Sequence, residues 1–218
     1  MSSEPNEPAE QSAGGTLFIV SAPSGAGKTS LLKAVLTRLT DVELSVSHTT
    51  RARRPGEQHG LDYYFVDQSR FESMAAGGEF LEHARVFDNG YGTTRAAVAE
   101  RLAAGRDVIL EIDWQGARQV FEAFDQAVKV FILPPTRAAL HQRLTGRGQD
   151  SEAVIARRMA EAVSEIRHFD EYHYLIFNDD FEVALAELEA LFRAQRLRSA
   201  AQRVRYASEL KGLLEPAD

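Results

Sequence analysis

One run restricts this chain more than any other: Ser21-Ala-Pro-Ser-Gly-Ala-Gly-Lys-Thr-Ser-Leu31. The apolar Leu17-Phe18-Ile19-Val20 before it suits a strand covered on both faces. After it, Leu31, Leu32, Val35, Leu36 and Leu39 recur at helical spacing. A glycine-rich turn between a buried strand and a helix points its backbone N–H groups inward, and the helix dipole adds positive potential there. Residues Ala22, Pro23, Ser24, Gly25, Ala26, Gly27, Lys28 and Thr29 thus read as a phosphate-binding loop. Lys28 is expected to reach the outer phosphates and the Thr29 hydroxyl to ligate Mg²⁺. Ala22 stands where the usual spacing asks for glycine, a change tolerable only where φ is negative. The motif implies a nucleoside triphosphate, and leaves open what is done with it.

The rest of the chain bounds the answer. Its 218 residues and 44% hydrophobic content suffice for one domain with inserted lobes. A net charge of −7 argues against general affinity for nucleic acid, whose binders need a basic face. No cysteine is present, which fits a reducing compartment. No apolar run approaches the roughly 18 residues of a membrane span, and the N-terminus does not read as a signal peptide. A soluble cytoplasmic protein is expected, with residues 1–15 a disordered tail rich in Ser, Glu, Pro and Gly.

Strands and helices alternate from Thr16 onward, so the expected class is α/β, a P-loop NTPase-like parallel sheet with helices on both faces. Strands are expected at Asp107 to Asp113, Val128 to Leu133 and Tyr174 to Phe177, with Thr136 capping a helix towards Gly146. Between residues 42 and 94, short β-like pieces (Glu43 to Ser47, Tyr63 to Val66, Phe80 to Val86) and a helix from Ser69 to Ala76 suggest a small inserted α+β lobe. Core segments are then 16–41, 95–140 and 170–210, a helical lid spans about 141–169, and 211–218 is a tail. One helix is expected from about Glu182 past Arg205; it either covers the core or pairs its far end with a second copy.

Glu111 and Asp113 alternate along their strand and so share one face, where they would hold the Mg²⁺ shell or bind a second ligand. Asp113-Trp-Gln-Gly116 also fits the Asp-x-x-Gly of GTPase switches, but the chain lacks their guanine-reading Asn-Lys-x-Asp. Arg51, Arg54, Arg143, Arg147 and Arg158 form a set of planar guanidinium forks, suited to compensating charge on a migrating phosphoryl group.

The chain resembles the bacterial guanylate kinases from about residue 16 to 210. The residues that carry this are the phosphate loop, Ser47-His-Thr-Thr-Arg51 with Arg54-Pro-Gly-Glu57, Gly60-Leu-Asp-Tyr63, Glu79-Phe-Leu-Glu82, Tyr91-Gly-Thr93, Glu111-Ile-Asp113-Trp-Gln-Gly116, Arg143-Leu-Thr-Gly-Arg147-Gly and Asn178-Asp179-Asp180. The resemblance implies transfer of a phosphoryl group from ATP to GMP, and to dGMP, in purine recycling and GTP supply. It implies a monophosphate-binding lobe and a mobile lid. Arg51, Arg54, Tyr63 and Tyr91 match positions that hold the GMP phosphate; Ser47, Glu82, Thr93 and Asp113 match positions around guanine. Lys28, Arg143, Arg147 and Arg158 match groups around the transferred phosphoryl, and Asn178 falls near the adenine. Guanine presents N1–H and N2–H₂ side by side, which a carboxylate such as Glu82 accepts together, whereas adenine offers an acceptor at N1. Tyr64 reads as a packing aromatic, and His48 and His83 receive no role. The rival readings are a sugar-phosphate kinase on the same core and a scaffold domain without turnover.

Overall fold

The computed structural model describes residues 14–86, 88–146 and 151–215; residues 1–13 of the expected tail, the expected lid arginine Arg147 and residues 216–218 lie outside them. Strand β1 (Leu17–Ser21) lies at the centre of a five-stranded parallel sheet. On one side come β7 (Asp107–Glu111) and the edge strand β2 (Val42–Leu44); on the other come β8 (Val128–Leu133) and β9 (Tyr174–Phe177). Ile19 pairs with Leu110 on one side and Lys129 on the other.

Alternation along β1 divides its side chains between two cores. Phe18 and Val20 face α1 (Lys28–Arg38) and α7 (Phe181–Arg196), packing with Leu31, Val35, Leu185, Leu188 and Phe192. The rings of Phe18 and Phe192 stack at 3.9 Å. Leu17 and Ile19 face α3 (Arg95–Ala103) and α4 (Trp114–Ala123), with Val98, Leu102, Ala117 and Val120. Each side chain removed from water in this way stabilises the sheet by about 1.5–3 kcal/mol, so the loop after β1 rises from a rigid base.

A second, four-stranded sheet carries the inserted lobe, in the order β4-β3-β6-β5: β4 (Tyr64–Phe65), β3 (His48–Thr49), β6 (Asn89–Thr94) and β5 (Phe80–Val86). Helix α2 (Gln68–Ala76) closes it, capped by Asp67, which accepts from Arg70 N at 2.7 Å, over a small core of Phe71, Met74 and Phe80. The expected β-piece at Glu43 to Ser47 is split: Val42–Leu44 pairs in parallel with β7, so the lobe begins after Leu44 rather than at residue 42. Tyr64 packs on His48 with ring centres 4.8 Å apart.

Thr136 caps α5 (Arg137–Thr145) by accepting from Ala139 N at 3.0 Å. Helix α6 (Glu152–Ile166) lies against it through Leu140, Leu144, Met159 and Ala162, and a 3-10 turn (Phe169–Glu171) leads to β9. Two expectations need correction. Strand β7 stops at Glu111, and Asp113 is the N-cap of α4, not a strand residue. The single helix expected past Arg205, with a tail from 211, is three helices: α7, α8 (Ser199–Arg205) and α9 (Ala207–Leu214). After Phe192 no residue of these helices is buried, so no packing holds the axis straight, and Gln202 Nε2 donates to the freed Arg196 carbonyl at 2.8 Å. Among the described residues no helix is long and apolar enough to cross a membrane.

Candidate active site

The loop after β1 is held open by two glycines in the left-handed region, Gly25 at φ 92° and Gly27 at φ 95°. A methyl group at Gly27 would run into Asn178 Nδ2. Ala22 has a negative φ, which explains why it can replace the usual glycine. The loop is braced from the far end of the sheet. Buried Asn178 donates through Nδ2 to the Ala26 carbonyl at 2.7 Å. Arg143 donates to the Asn178 carbonyl at 2.8 Å and to the Ala26 carbonyl at 3.4 Å. Asn178 and Arg143 therefore both support the loop backbone directly.

At the start of α1, the Thr29 hydroxyl donates to Glu111 Oε1 at 2.9 Å, and Lys28 Nζ lies 3.8 Å from the same oxygen. Glu111 can do this because it ends β7, next to β1 in the sheet. A hydroxyl and a carboxylate at one spot form an oxygen donor set that suits a hard cation keeping several waters, such as Mg²⁺ beside a nucleotide. Among the described residues no group of three or more His, Cys, Asp or Glu could hold a metal by protein ligands alone.

Helix α6 reaches over the loop. Arg158 donates to Ser24 Oγ at 3.0 Å, and Glu165 accepts from the Ser24 backbone N–H at 3.2 Å. Burial pushes the Glu165 carboxyl up from its ordinary value. Glu165 did not emerge from the sequence reading. Its signal was a position seven residues, two helical turns, after Arg158, which sets both on one face.

The second half of the site lies in the inserted lobe. Glu82 is 3% exposed, and Oε1 has no hydrogen-bond partner among the described residues. Burial pushes its carboxyl up to about 7, against the lowering effect of hydrogen bonding with Thr93. Thr93 is fully buried, and Ser47 Oγ lies 3.1 Å from Thr93 Oγ1. Asp113 approaches from the core, its carboxylate engaged with Gly116 N at 2.9 Å. A buried carboxylate oxygen left unpaired is costly unless something with N–H donors fills the space.

Arg51 lies nearby on the lobe, donating to Glu57 Oε1 at 2.7 Å and to the Ala52 carbonyl at 2.8 Å. Its guanidinium lies over the Tyr63 ring at 5.4 Å, and Tyr63 meets Tyr91 edge-on at 6.0 Å. Burial, and next the charge of Glu111, raise the Tyr63 phenol above its ordinary value. Arg54 donates its backbone N–H to Glu57 Oε2 at 2.8 Å while its side chain is exposed. The expected residues therefore fall into two groups, one around the loop after β1 and one on the inserted lobe, with Arg147 outside the described residues.

The family model described as guanylate kinase matches residues 14–195. A guanylate kinase of Chromohalobacter salexigens is 62% identical over 200 residues, covering 92% of this chain and 93% of its own. One from Hahella chejuensis is 56% identical over 200 residues, covering 92% and 96%. The crystal structure of guanylate kinase from Anaplasma phagocytophilum is similar at a TM-score of 0.71 and 33% identity, over 91% of this chain and 96% of that one.

Proposed function

The chain belongs to the guanylate kinase family, and from that premise we propose that it transfers the γ-phosphoryl group of ATP to GMP, giving ADP and GDP. The observation that carries this reading is Glu82, a buried acid with one oxygen unpaired, set beside Ser47 and Thr93. Guanine N1–H and N2–H₂ would bring two adjacent donors to this carboxylate, one of them to the oxygen that has no partner among the described residues. Adenine would bring an acceptor to the same place, and an unpaired buried polar group is what makes such pockets selective by about 10⁴-fold.

The donor's phosphates are read as lying in the amides of Ser24 to Thr29, with Lys28 at the outer end. To enter, they displace the Glu165 carboxylate from Ser24 N–H. Thr29 and Glu111 would hold Mg²⁺, which when bound neutralises charge on the donor's phosphate oxygens. Arg51, Arg54, Tyr63 and Tyr91 bind the acceptor's phosphate; Arg51 has its guanidinium aimed by Glu57 and by the rings of Tyr63 and Phe65, 5.4 and 6.0 Å away. Ser47, Glu82, Thr93 and Asp113 surround guanine. Arg158, and with it Arg147, compensates charge on the migrating group as the lid closes and excludes water. Arg143 donates to the Ala26 and Asn178 carbonyls, so we read it as holding the loop and Asn178 together, with its charge still available to the migrating phosphoryl. No general base is needed, because a phosphate monoester with a second pKa near 6 is already mostly dianionic at neutral pH. The groups named touch base and phosphate, so dGMP is expected to serve as well.

The reading is tested by ADP formation from ATP with GMP, dGMP, AMP or a ribose phosphate as acceptor. Turnover with the two guanine nucleotides and little with the others is expected. Equal use of AMP, or turnover only with the sugar phosphate, refutes it.

A further inference from the structure

Three consecutive residues of β5 meet one face of α4, each by a different kind of contact. The ladder between β5 and β6 runs Phe80 to Thr94 and then Glu82 to Thr93, so Leu81 is an extra residue in a bulge. The bulge breaks the usual alternation: Leu81 and Glu82 are both buried, at 5% and 3% exposure. Leu81 joins Ala117 and Val120 of α4 in the main core. Glu82 Oε2 comes so near the helix that a methyl group at Gly116 would stand 2.6 Å from it. His83 follows, and there the contact is made by hydrogen bonds.

Strand β5 is the outer strand of its sheet, so among the described residues its edge away from β6 has no strand to pair with. Gln119 occupies that edge. Its Oε1 accepts from His83 N–H at 3.1 Å, and its Nε2 donates to the His83 carbonyl at 2.7 Å. A carboxamide is the side-chain group that can do both at once, as a neighbouring strand would. The bulge at Leu81 weakens the ladder one residue from Glu82, on the β6 side, so the Gln119 tie replaces part of what the strand has lost.

We propose that Gln119 is a positioning residue for guanine recognition: through the His83 backbone it holds β5 against α4, so that the Glu82 carboxylate stands where the purine's adjacent N–H donors arrive. It touches neither nucleotide and acts only through β5. The inference rests on the reading of Glu82 as the guanine-facing acid. Each of the two bonds contributes modestly on its own, and together they are worth about a tenfold effect on acceptor binding.

The test uses the full-length enzyme with Gln119→Met, which keeps length and helix propensity but loses both bonds, and Gln119→Glu, which keeps the acceptor alone. Steady-state constants are measured for GMP, for inosine monophosphate (which lacks the 2-amino group) and for ATP, together with thermal melting. In Gln119→Met the KM for GMP should rise about tenfold, and the preference for GMP over inosine monophosphate should fall, with the KM for ATP unchanged and the melting temperature lowered by only about a few degrees. Gln119→Glu should fall between parent and Met. Constants within about twofold of the parent in both variants overturn the proposal, as does a joint rise of both KM values with lower melting, the mark of a purely structural role. If the parent does not use GMP at all, the reading of the site and this inference fall together; if it does and the variants match it, only the inference falls.

Discussion

At the scale of single residues the account turns on Glu82, because its burial works against its charge. A carboxyl raised to about 7 is neutral in the folded protein where the unfolded chain has already ionised. Its contribution to stability is therefore present below about pH 4.5, falls as pH rises towards 7, and stays lost above. Glu82→Gln removes that cost, so the variant should melt higher than the parent at pH 8, with an unfolding free energy larger by up to about 3 kcal/mol, and should melt no higher at pH 4.5. Equal melting at both pH values would count against a desolvated acid. The same ionisation governs GMP: the bound purine needs the carboxylate, so the dissociation constant measured by calorimetry should rise about tenfold between pH 8 and pH 6, and Glu82→Gln should abolish that upper step. Lys28 is a different case. It stands 3.8 Å from Glu111 at the start of α1, and Lys28→Ala should cut single-turnover rates about 10³-fold or more. Rates within tenfold of the parent would remove Lys28 from the transfer step.

Among the elements, helix α6 has the most distinctive role, since its Glu165 rests on the Ser24 amide that an incoming phosphate would take. The helix thus sets a carboxylate of its own against the loop backbone. Glu165→Ala should lower the KM for ATP several-fold while leaving the KM for GMP in place; an unchanged or higher KM for ATP would mean that the contact does not compete with phosphate. Gly27→Ala tests the loop from below, because both its φ of 95° and the adjacent Asn178 amide exclude a side chain. What was legible at this scale was local. The run Leu17 to Val20 and the spacing of Leu31, Leu32 and Val35 predict strand, loop and helix because burial on both faces and a 3.6-residue period leave few alternatives. The bulge at Leu81 was not legible, since Phe80-Leu-Glu reads as ordinary strand and the α4 residues that meet this part of β5 lie far along the chain, such as Gln119, 36 residues after His83. Nor was the breaking of the C-terminal helix, where propensity persists but nothing buries the residues after Phe192.

For the whole molecule, the proposed reading puts the two halves of the site on the two sheets, which would then close on both nucleotides. Small-angle scattering should show a smaller radius of gyration with GMP and a non-hydrolysable ATP analogue together than with either alone; an unchanged radius would count against closure. The division of the site between the sheets explains why motif and partner differ in legibility. The phosphate loop is one continuous run whose physics is local. The proposed acceptor pocket would be assembled from Ser47, Glu82, Thr93 and Asp113, which no local pattern joins, and it was readable only through their order along a family resemblance. The central claim is therefore best tested in a crystal grown with GMP and the ATP analogue. Density should set guanine N1 and N2 about 2.9 Å from the Glu82 carboxylate, with the analogue's phosphates in the amides of Ser24 to Thr29. A guanine bound elsewhere, with Glu82 still unpaired, would contradict the account.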